Sequence, residues 1–272
     1  MQRKIRTFLS GILLIVLLGV LCACQPESTS SSSESTELPQ LKIGVDVLEP
    51  FYSIDENGNA TGIDAEIALE ACRRAGYEPV FVLIPWNDKE TYLNDGSVDC
   101  LWNAFAEDGR ESQYTWTIPY MESDLRVIAD VRAPDHTLED LRHSAGIALR
   151  AGSKMEEIFM NEPEQAITLY ACSTYDAAKT AFIKGYVSAL GGHELSLRKV
   201  IQEYPGLYRF LDGSLMTIHL GAAFCKTSPA SAFQPLNDAL SEMKEDGTID
   251  SIVSRYKAAL SEDGEVQLDE KN

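Results

Sequence analysis

The chain has 272 residues, 44% hydrophobic and 24% charged, an ordinary globular composition that excludes collagen-like, wholly disordered and polytopic membrane classes. Asp and Glu number 42 against 23 Lys and Arg, a formal charge of −19, and so acidic a surface repels phosphate backbones and excludes nucleic acid as an expected partner. The length is ample for a core that needs no disulfide or metal staple.

Arg3, Lys4 and Arg6 precede a nearly unbroken apolar run from Phe8 to Val20, followed by Leu21-Cys22-Ala23-Cys24. This is the layout of an export signal. Its end resembles a bacterial lipobox, in which a small residue precedes the lipid-accepting Cys; Ala23-Cys24 fits, whereas Cys22 follows the larger Leu21. An uncleaved membrane anchor is the alternative, but the run is short for a span of roughly 20 residues. Residues 1–24 are therefore expected to be a lipoprotein signal peptide with lipid on Cys24. Residues 25–40, dominated by Ser, Thr, Glu and Pro, cannot bury enough apolar surface to order themselves and read as a flexible tether.

The body alternates strands and helices. Leu41–Asp46 reads as a strand, Ile63–Ala75 as a helix ended by Gly76, Pro79–Ile84 as a strand, Asn87–Asn94 as a short helix and Ser97–Trp102 as a third strand. This βαβαβ order predicts a mostly parallel sheet with helices on both faces. The alternation then repeats. Strands are expected at Leu125–Asp130, Ala145–Leu149, Ala166–Leu169 and Val187–Leu190, with helices at Lys154–Asn161 and Thr174–Lys184. Leu215–Cys225 is long and apolar enough to pass back from a second lobe to the first, which helices Ala230–Glu245 and Thr248–Leu260 would close. Residues 261–272 form an acidic tail. The body cysteines, Cys72, Cys100, Cys172 and Cys225, show neither CxxC nor zinc-ligand spacing and read as free thiols, although export would permit disulfides.

In this order the segments Leu41-Lys-Ile-Gly-Val-Asp46, Pro50-Phe51, Thr61-Gly-Ile-Asp-Ala-Glu-Ile-Ala68, Leu93-Asn-Asp-Gly-Ser-Val-Asp99, Gly109-Arg110-Glu111, Ile118-Pro119-Tyr120, Leu138-Glu-Asp-Leu141, Lys184-Gly-Tyr-Val-Ser-Ala-Leu190 and Met243-Lys-Glu-Asp-Gly-Thr-Ile249 make the body resemble the bacterial extracellular solute-binding proteins of family 3, the polar amino acid receptors of ABC importers. The resemblance implies an α/β periplasmic-binding-protein-like fold, two lobes joined by two crossover strands with a ligand cleft between them. Lobe 1 would be 41–127 plus 220–260, and lobe 2 would be 128–219. It further implies a monomer without cofactor or metal. The expected partners are an amino-acid-like ligand and the permease and ATPase of an importer, met at the outer face of the cytoplasmic membrane or on its periplasmic side.

A zwitterionic ligand needs a bidentate Arg for its carboxylate, an acid for its ammonium and walls for its body. Arg110 stands where the family places its carboxylate-binding Arg, although the loop Asn103–Gly109 is one residue shorter than the common form; the plainer reading is a surface Arg paired with Glu107 or Glu111. Asn103 and Ala104 lie in the loop that usually contributes donors, and Ala106 replaces a common Ser or Thr. Gly152-Ser153-Lys154 opens a helix, so its N–H groups offer an anion site, and Ser153 can equally be a simple N-cap. Ser188 replaces the first Asp of a family segment. Ungapped counting puts His193 at the ammonium position, and a one-residue shift puts Glu194 there; both can instead be a solvated helix start. Phe51, Tyr52, Trp86 and Trp102 are candidate walls that could equally be core, and Asp64 reads as the cap of the first helix. No Gly-x-Ser-x-Gly, HExxH or phosphate-loop motif is present. The alternatives are a dehydratase-like enzyme of the same fold, with His193 and Glu194 as an acid/base pair, or a surface antigen or adhesin retaining the fold.

Overall fold

The computed structural model describes residues 37–161 and 167–261. Cys24, the signal segment, most of the tether and nearly all of the acidic tail lie outside the described residues.

Local chemistry sets the first element boundaries. β1 (Gln40–Val45) leads through a hairpin of β2 (Ser53–Ile54) and β3 (Ala60–Thr61) into helix α1 (Ile63–Ala75). Gly62 begins the helix at φ 113°, where an added Cβ would collide with the Phe51 carbonyl, so the sharp entry requires glycine. Gly76 ends it in the left-handed region, its N–H returned to Cys72 O. Ile63, Ile67, Ala68, Ala71 and Cys72 form the buried stripe. β4 (Glu78–Leu83), α2 (Lys89–Asn94), β5 (Cys100–Leu101) and β6 (Thr115–Trp116) follow.

The second half comprises β7 (Met121–Asp130), β8 (Ile147–Arg150), α3 (Lys154–Asn161), β9 (Leu169–Cys172), α4 (Tyr175–Ile183), β10 (Ala189–His193), α5 (Glu194–Glu203), β11 (Tyr208–Phe210) and β12 (Met216–Leu220). β13 (Ala223–Phe224), α6 (Ala230–Glu245) and α7 (Thr248–Ser261) complete it.

Two main sheets result. The first runs β4-β1-β5-β13-β6, with β1 parallel to β4 and β5 and with β13 antiparallel to β5 and β6. The second runs β11-β7-β10-β8-β9, with β12 also on β7; β8, β9 and β10 are parallel, and β7 is antiparallel to β10, β11 and β12. Each sheet thus has a parallel block at one end, β4-β1-β5 and β10-β8-β9, and antiparallel strands at the other; in the first sheet these follow because the chain leaves it and re-enters. It does so along two adjacent segments. Thr117 N donates to Ala222 O at 3.0 Å and Tyr120 N to Leu220 O at 2.8 Å, binding the outgoing segment to the returning one.

Most apolar side chains share one large core. A separate aromatic cluster lies under the loop after β5, built from Trp86, Leu93, Phe105 and Tyr114 with Ile84, Val98, Leu101 and Ala223. Cys72 and Cys100 are buried, Cys172 and Cys225 half-buried, and all four are free thiols.

Candidate functional site

The strand ends meet between the lobes. β5 stops at Leu101, and the loop from Trp102 to Arg110 runs beside the returning segment: Gly221 N donates to Phe105 O at 3.1 Å and Glu107 N to His219 O at 2.9 Å. Ala104 adopts φ 49°, and its N–H donates to Asp64 Oδ2, while Tyr120 Oη donates to Asp64 Oδ1 at 2.8 Å. Asp64 therefore anchors this loop and does not cap α1, whose N-cap is Gly62 without a side-chain bond. Burial raises the Asp64 carboxyl to about 7, with both hydrogen bonds opposing the shift. The Ala104 N–H is consumed by this contact.

From lobe 2, β8 ends in Arg150, a buried residue the sequence reading passed over. Its guanidinium lies over the Trp86 ring at 4.8 Å and 3.6 Å from Asp46 Oδ2. In the amide orientation that satisfies its neighbours, Asn103 donates to Asp46 O at 2.7 Å and accepts from Arg150 Nη1 at 2.7 Å. Burial lowers Arg150 to about 10, with Asp46 pulling the other way, so it stays charged at neutral pH. Asp46 is raised, chiefly by burial, and its Oδ2 has no hydrogen-bond partner among the described residues.

Arg110 is buried, stacked 5.1 Å over Phe105, and donates from Nη1 to Ala106 O at 3.3 Å. Its carboxylate partner is neither Glu107 nor Glu111. It is Glu157 on α3 of the opposite lobe, 2.8 Å from Nη2, and Lys154 Nζ holds the other Glu157 oxygen at 2.6 Å. Lys89, also buried, bridges the lobes by donating to Gly152 O at 3.2 Å.

Ser153 serves as a cap: its Oγ accepts Glu156 N at 3.2 Å, and Glu156 Oε2 accepts Gly152 N at 2.6 Å. Ser153 and Lys154 nonetheless line a small interlobe cavity together with Leu48, Leu125, Arg150, Met155, Tyr175 and His193. Gly191 and Gly192 make this wall possible, because a Cβ on Gly191 would occupy the Met155 sulfur position and one on Gly192 would press on Tyr175. The Tyr175 hydroxyl is buried without a partner among the described residues. The cavity measures about 20 Å³, room for about one water.

His193 lies on this wall with Nδ1 3.0 Å from Ser123 Oγ and its ring 5.1 Å from Phe51. Burial first, and Arg150 second, lower the imidazole to about 3, so it is neutral at physiological pH. Glu194 does not join it. Its carboxylate pairs with Arg198 at 2.6 Å and faces a different groove of about 480 Å³, lined also by Glu122, Asp124 and Lys257. That groove is larger than the cleft cavity, yet Glu122, Thr217 and Lys257 on its rim are exposed, whereas the cleft gathers buried charges. The cleft is the better site because only desolvated groups discriminate strongly between ligands.

The aromatic candidates separate. Phe51 reaches the cleft through His193, and Trp86 carries Arg150 and Lys89 on its face. Tyr52 packs on Phe81, and Trp102 on Tyr120, inside lobe 1. Arg110, Asn103, Ser153, Lys154, His193, Phe51 and Trp86 thus converge, and Ala104, whose N–H is held by Asp64, lies apart with Glu194, Tyr52 and Trp102. Among the residues missed, Arg150 carried one legible signal: a charged side chain directly after the apolar run Ile147-Ala-Leu149, at a strand end.

A family model described as bacterial extracellular solute-binding proteins, family 3, matches residues 41–259. The L-cystine-binding protein TcyA of Bacillus subtilis is 23% identical, over 91% of this chain and 96% of that protein. An ancestral arginine-binding protein bound to arginine superposes with a TM-score of 0.73 at 22% identity, over 80% of this chain and 97% of that one. An ancestral amino acid-binding protein that is a precursor of cyclohexadienyl dehydratase superposes with a TM-score of 0.71 at 21% identity, over 80% of this chain and 95% of that one. With nearly the whole body matched and two lobes meeting at a buried polar cleft, the chain belongs to the bacterial extracellular solute-binding proteins of family 3.

Proposed function

We propose that the chain captures a small polar, amino-acid-like ligand between its lobes and delivers it to the permease and ATPase of an ABC importer. The observation that carries this reading is that Arg110 and Arg150, one from each lobe, are both buried against aromatic faces at the same cleft. Relatives named for the amino acids they bind support it. The small cavity requires the lobes to part for entry and to close again over the ligand. The protein acts as a monomer held at the outer membrane surface by lipid on Cys24, with the Ser-rich segment as its tether. Replacing Cys24 with Ala should release it from membranes, read by fractionation and by the mass of the processed chain.

The dehydratase ancestor among the structural neighbours raises an enzymatic reading. The acid/base pair that reading needs is not assembled: His193 is neutral and bonded to Ser123, and Glu194 turns to Arg198. We favour a binding role. A melting-temperature screen against amino acids, short peptides and small organic acids tests it. A ligand at a hundredfold excess over Kd adds about 2.7 kcal/mol of stability and a clear upward shift. No shift across the whole panel would contradict the receptor reading.

A further inference from the structure

Trp86 and Phe105 form an edge-to-face pair 5.2 Å apart at the floor of the cleft. Three buried cations lie on it: Arg150 over Trp86 at 4.8 Å, Arg110 over Phe105 at 5.1 Å, and Lys89 at 5.6 Å from Trp86 and 5.7 Å from Phe105. Lys154 stands beside them on the facing lobe. In a chain of net charge −19 such a cluster is not a by-product of composition. It concentrates positive charge where water is excluded and attraction to an anion is strongest.

One carboxylate already shows how the cluster is read. Glu157 bridges Arg110 Nη2 at 2.8 Å and Lys154 Nζ at 2.6 Å, one cation from each lobe. Its side chain is one-third exposed, so it can turn to water and leave that place to a ligand carboxylate. Arg150 is a second such position. It lines the cavity, with one hydrogen bond among the described residues, to Asn103, and with Asp46 3.6 Å away. The position expected to hold an ammonium carries a neutral imidazole in His193, and Glu194 faces elsewhere. The acids around these cations already face one of them: Asp46 lies 3.6 Å from Arg150, Glu157 pairs with Arg110 and Lys154, and Glu90 lies 3.2 Å from Lys89, so a ligand must compete with them.

Resting on the reading of the cleft as the ligand site, we propose that its ligand is a small dicarboxylate, one carboxylate held by Arg110 and Lys154 and the other by Arg150 and Lys89, with no ammonium required. Calorimetry on the wild-type protein tests this with α,ω-dicarboxylates from succinate to adipate, L-glutamate, L-glutamine, L-arginine and sulfate. The best dicarboxylate should bind within about fivefold of L-glutamate and at least about thirtyfold tighter than L-glutamine, L-arginine or sulfate. Tighter binding of L-glutamine or L-arginine would overturn the proposal while leaving the cleft a ligand site. So would L-glutamate binding a hundredfold tighter than every simple dicarboxylate, or sulfate matching them. If no compound binds here or in a full amino acid screen, the receptor reading itself falls, and this proposal with it. Arg150→Gln, shown to fold by circular dichroism, should weaken the best dicarboxylate about thirtyfold but butyrate, with one carboxylate, less than threefold. Equal losses for both would make Arg150 a structural latch only. Should Arg150→Gln fail to fold, Lys89→Gln is read by the same two ligands.

Discussion

At the residue scale, two buried groups at the cleft titrate in opposite senses. Asp64, raised to about 7, is stabilising below its unfolded value near 4, and that contribution is lost as pH rises toward 7. His193, depressed to about 3, is stabilising above its unfolded value of 6.5, and that contribution is lost as pH falls toward 3. Between about pH 4 and 6.5 the two slopes, each about 1.4 kcal/mol per pH unit, nearly cancel. Asp64→Asn, whose amide can still accept from Ala104 and donate to Tyr120, removes one of them. Its stability relative to wild type should rise with pH across that range, and that of His193→Gln should fall, both read from urea melts at stepped pH. Parallel curves for wild type and both variants would mean neither group is perturbed as described. The sequence disclosed that His193 stands where an acid was expected. It did not disclose that the imidazole is neutral, because burial by Phe51 arises only when the lobes meet and the nearness of Arg150 only when β8 and β10 pair in one sheet.

At the scale of elements, most boundaries were readable from short-range chemistry. Ile63–Ala75, Lys154–Asn161 and Ala230–Glu245 form the expected helices, since apolar period and end signals agree within each. Strands were less legible. The expected Ser97–Trp102 shrinks to Cys100–Leu101, and Val187–Leu190 moves to Ala189–His193, because register is set by partners distant in the chain. The same limit hid the site's pairing. The plainer reading of Arg110 paired it with Glu107 or Glu111 on its own loop, and its partner is Glu157 on α3, in the other lobe. On the proposed reading, that helix supplies the latch that a ligand carboxylate displaces. Glu157→Gln leaves Arg110 without a competing charge and should strengthen binding of a carboxylate ligand by about fivefold, equivalent to roughly 1 kcal/mol for a partly exposed pair. Weakened binding in this variant would mean that Glu157 contacts the ligand itself. Phe105→Ala should cost about 3–5 kcal/mol of stability, because it empties the aromatic cluster and removes the surface on which Arg110 and Lys89 rest.

At the scale of the whole molecule, the two sheets are joined by apolar packing, including Phe51 on His193 and α5 against α7, and by a set of polar contacts. Arg150 meets Asp46 and Asn103, Arg110 meets Glu157, Lys89 meets the Gly152 carbonyl, and Lys199 meets Glu49 at 3.3 Å. Polar contacts of this kind can come apart while the secondary structure of each sheet stays intact, which suits a cleft that opens and closes. Two concavities compete for the role of ligand site, the buried cleft and the larger solvated groove beside Glu194 and Lys257. Hydrogen–deuterium exchange separates them most directly, comparing the free protein with the protein saturated by the compound that raises its melting temperature most. The account predicts new protection in Trp102–Arg110 and Arg150–Glu157, on both walls of the cleft, with little change in Arg198 or in 257–261. Protection confined to the groove, with the cleft loops exchanging as before, would contradict it.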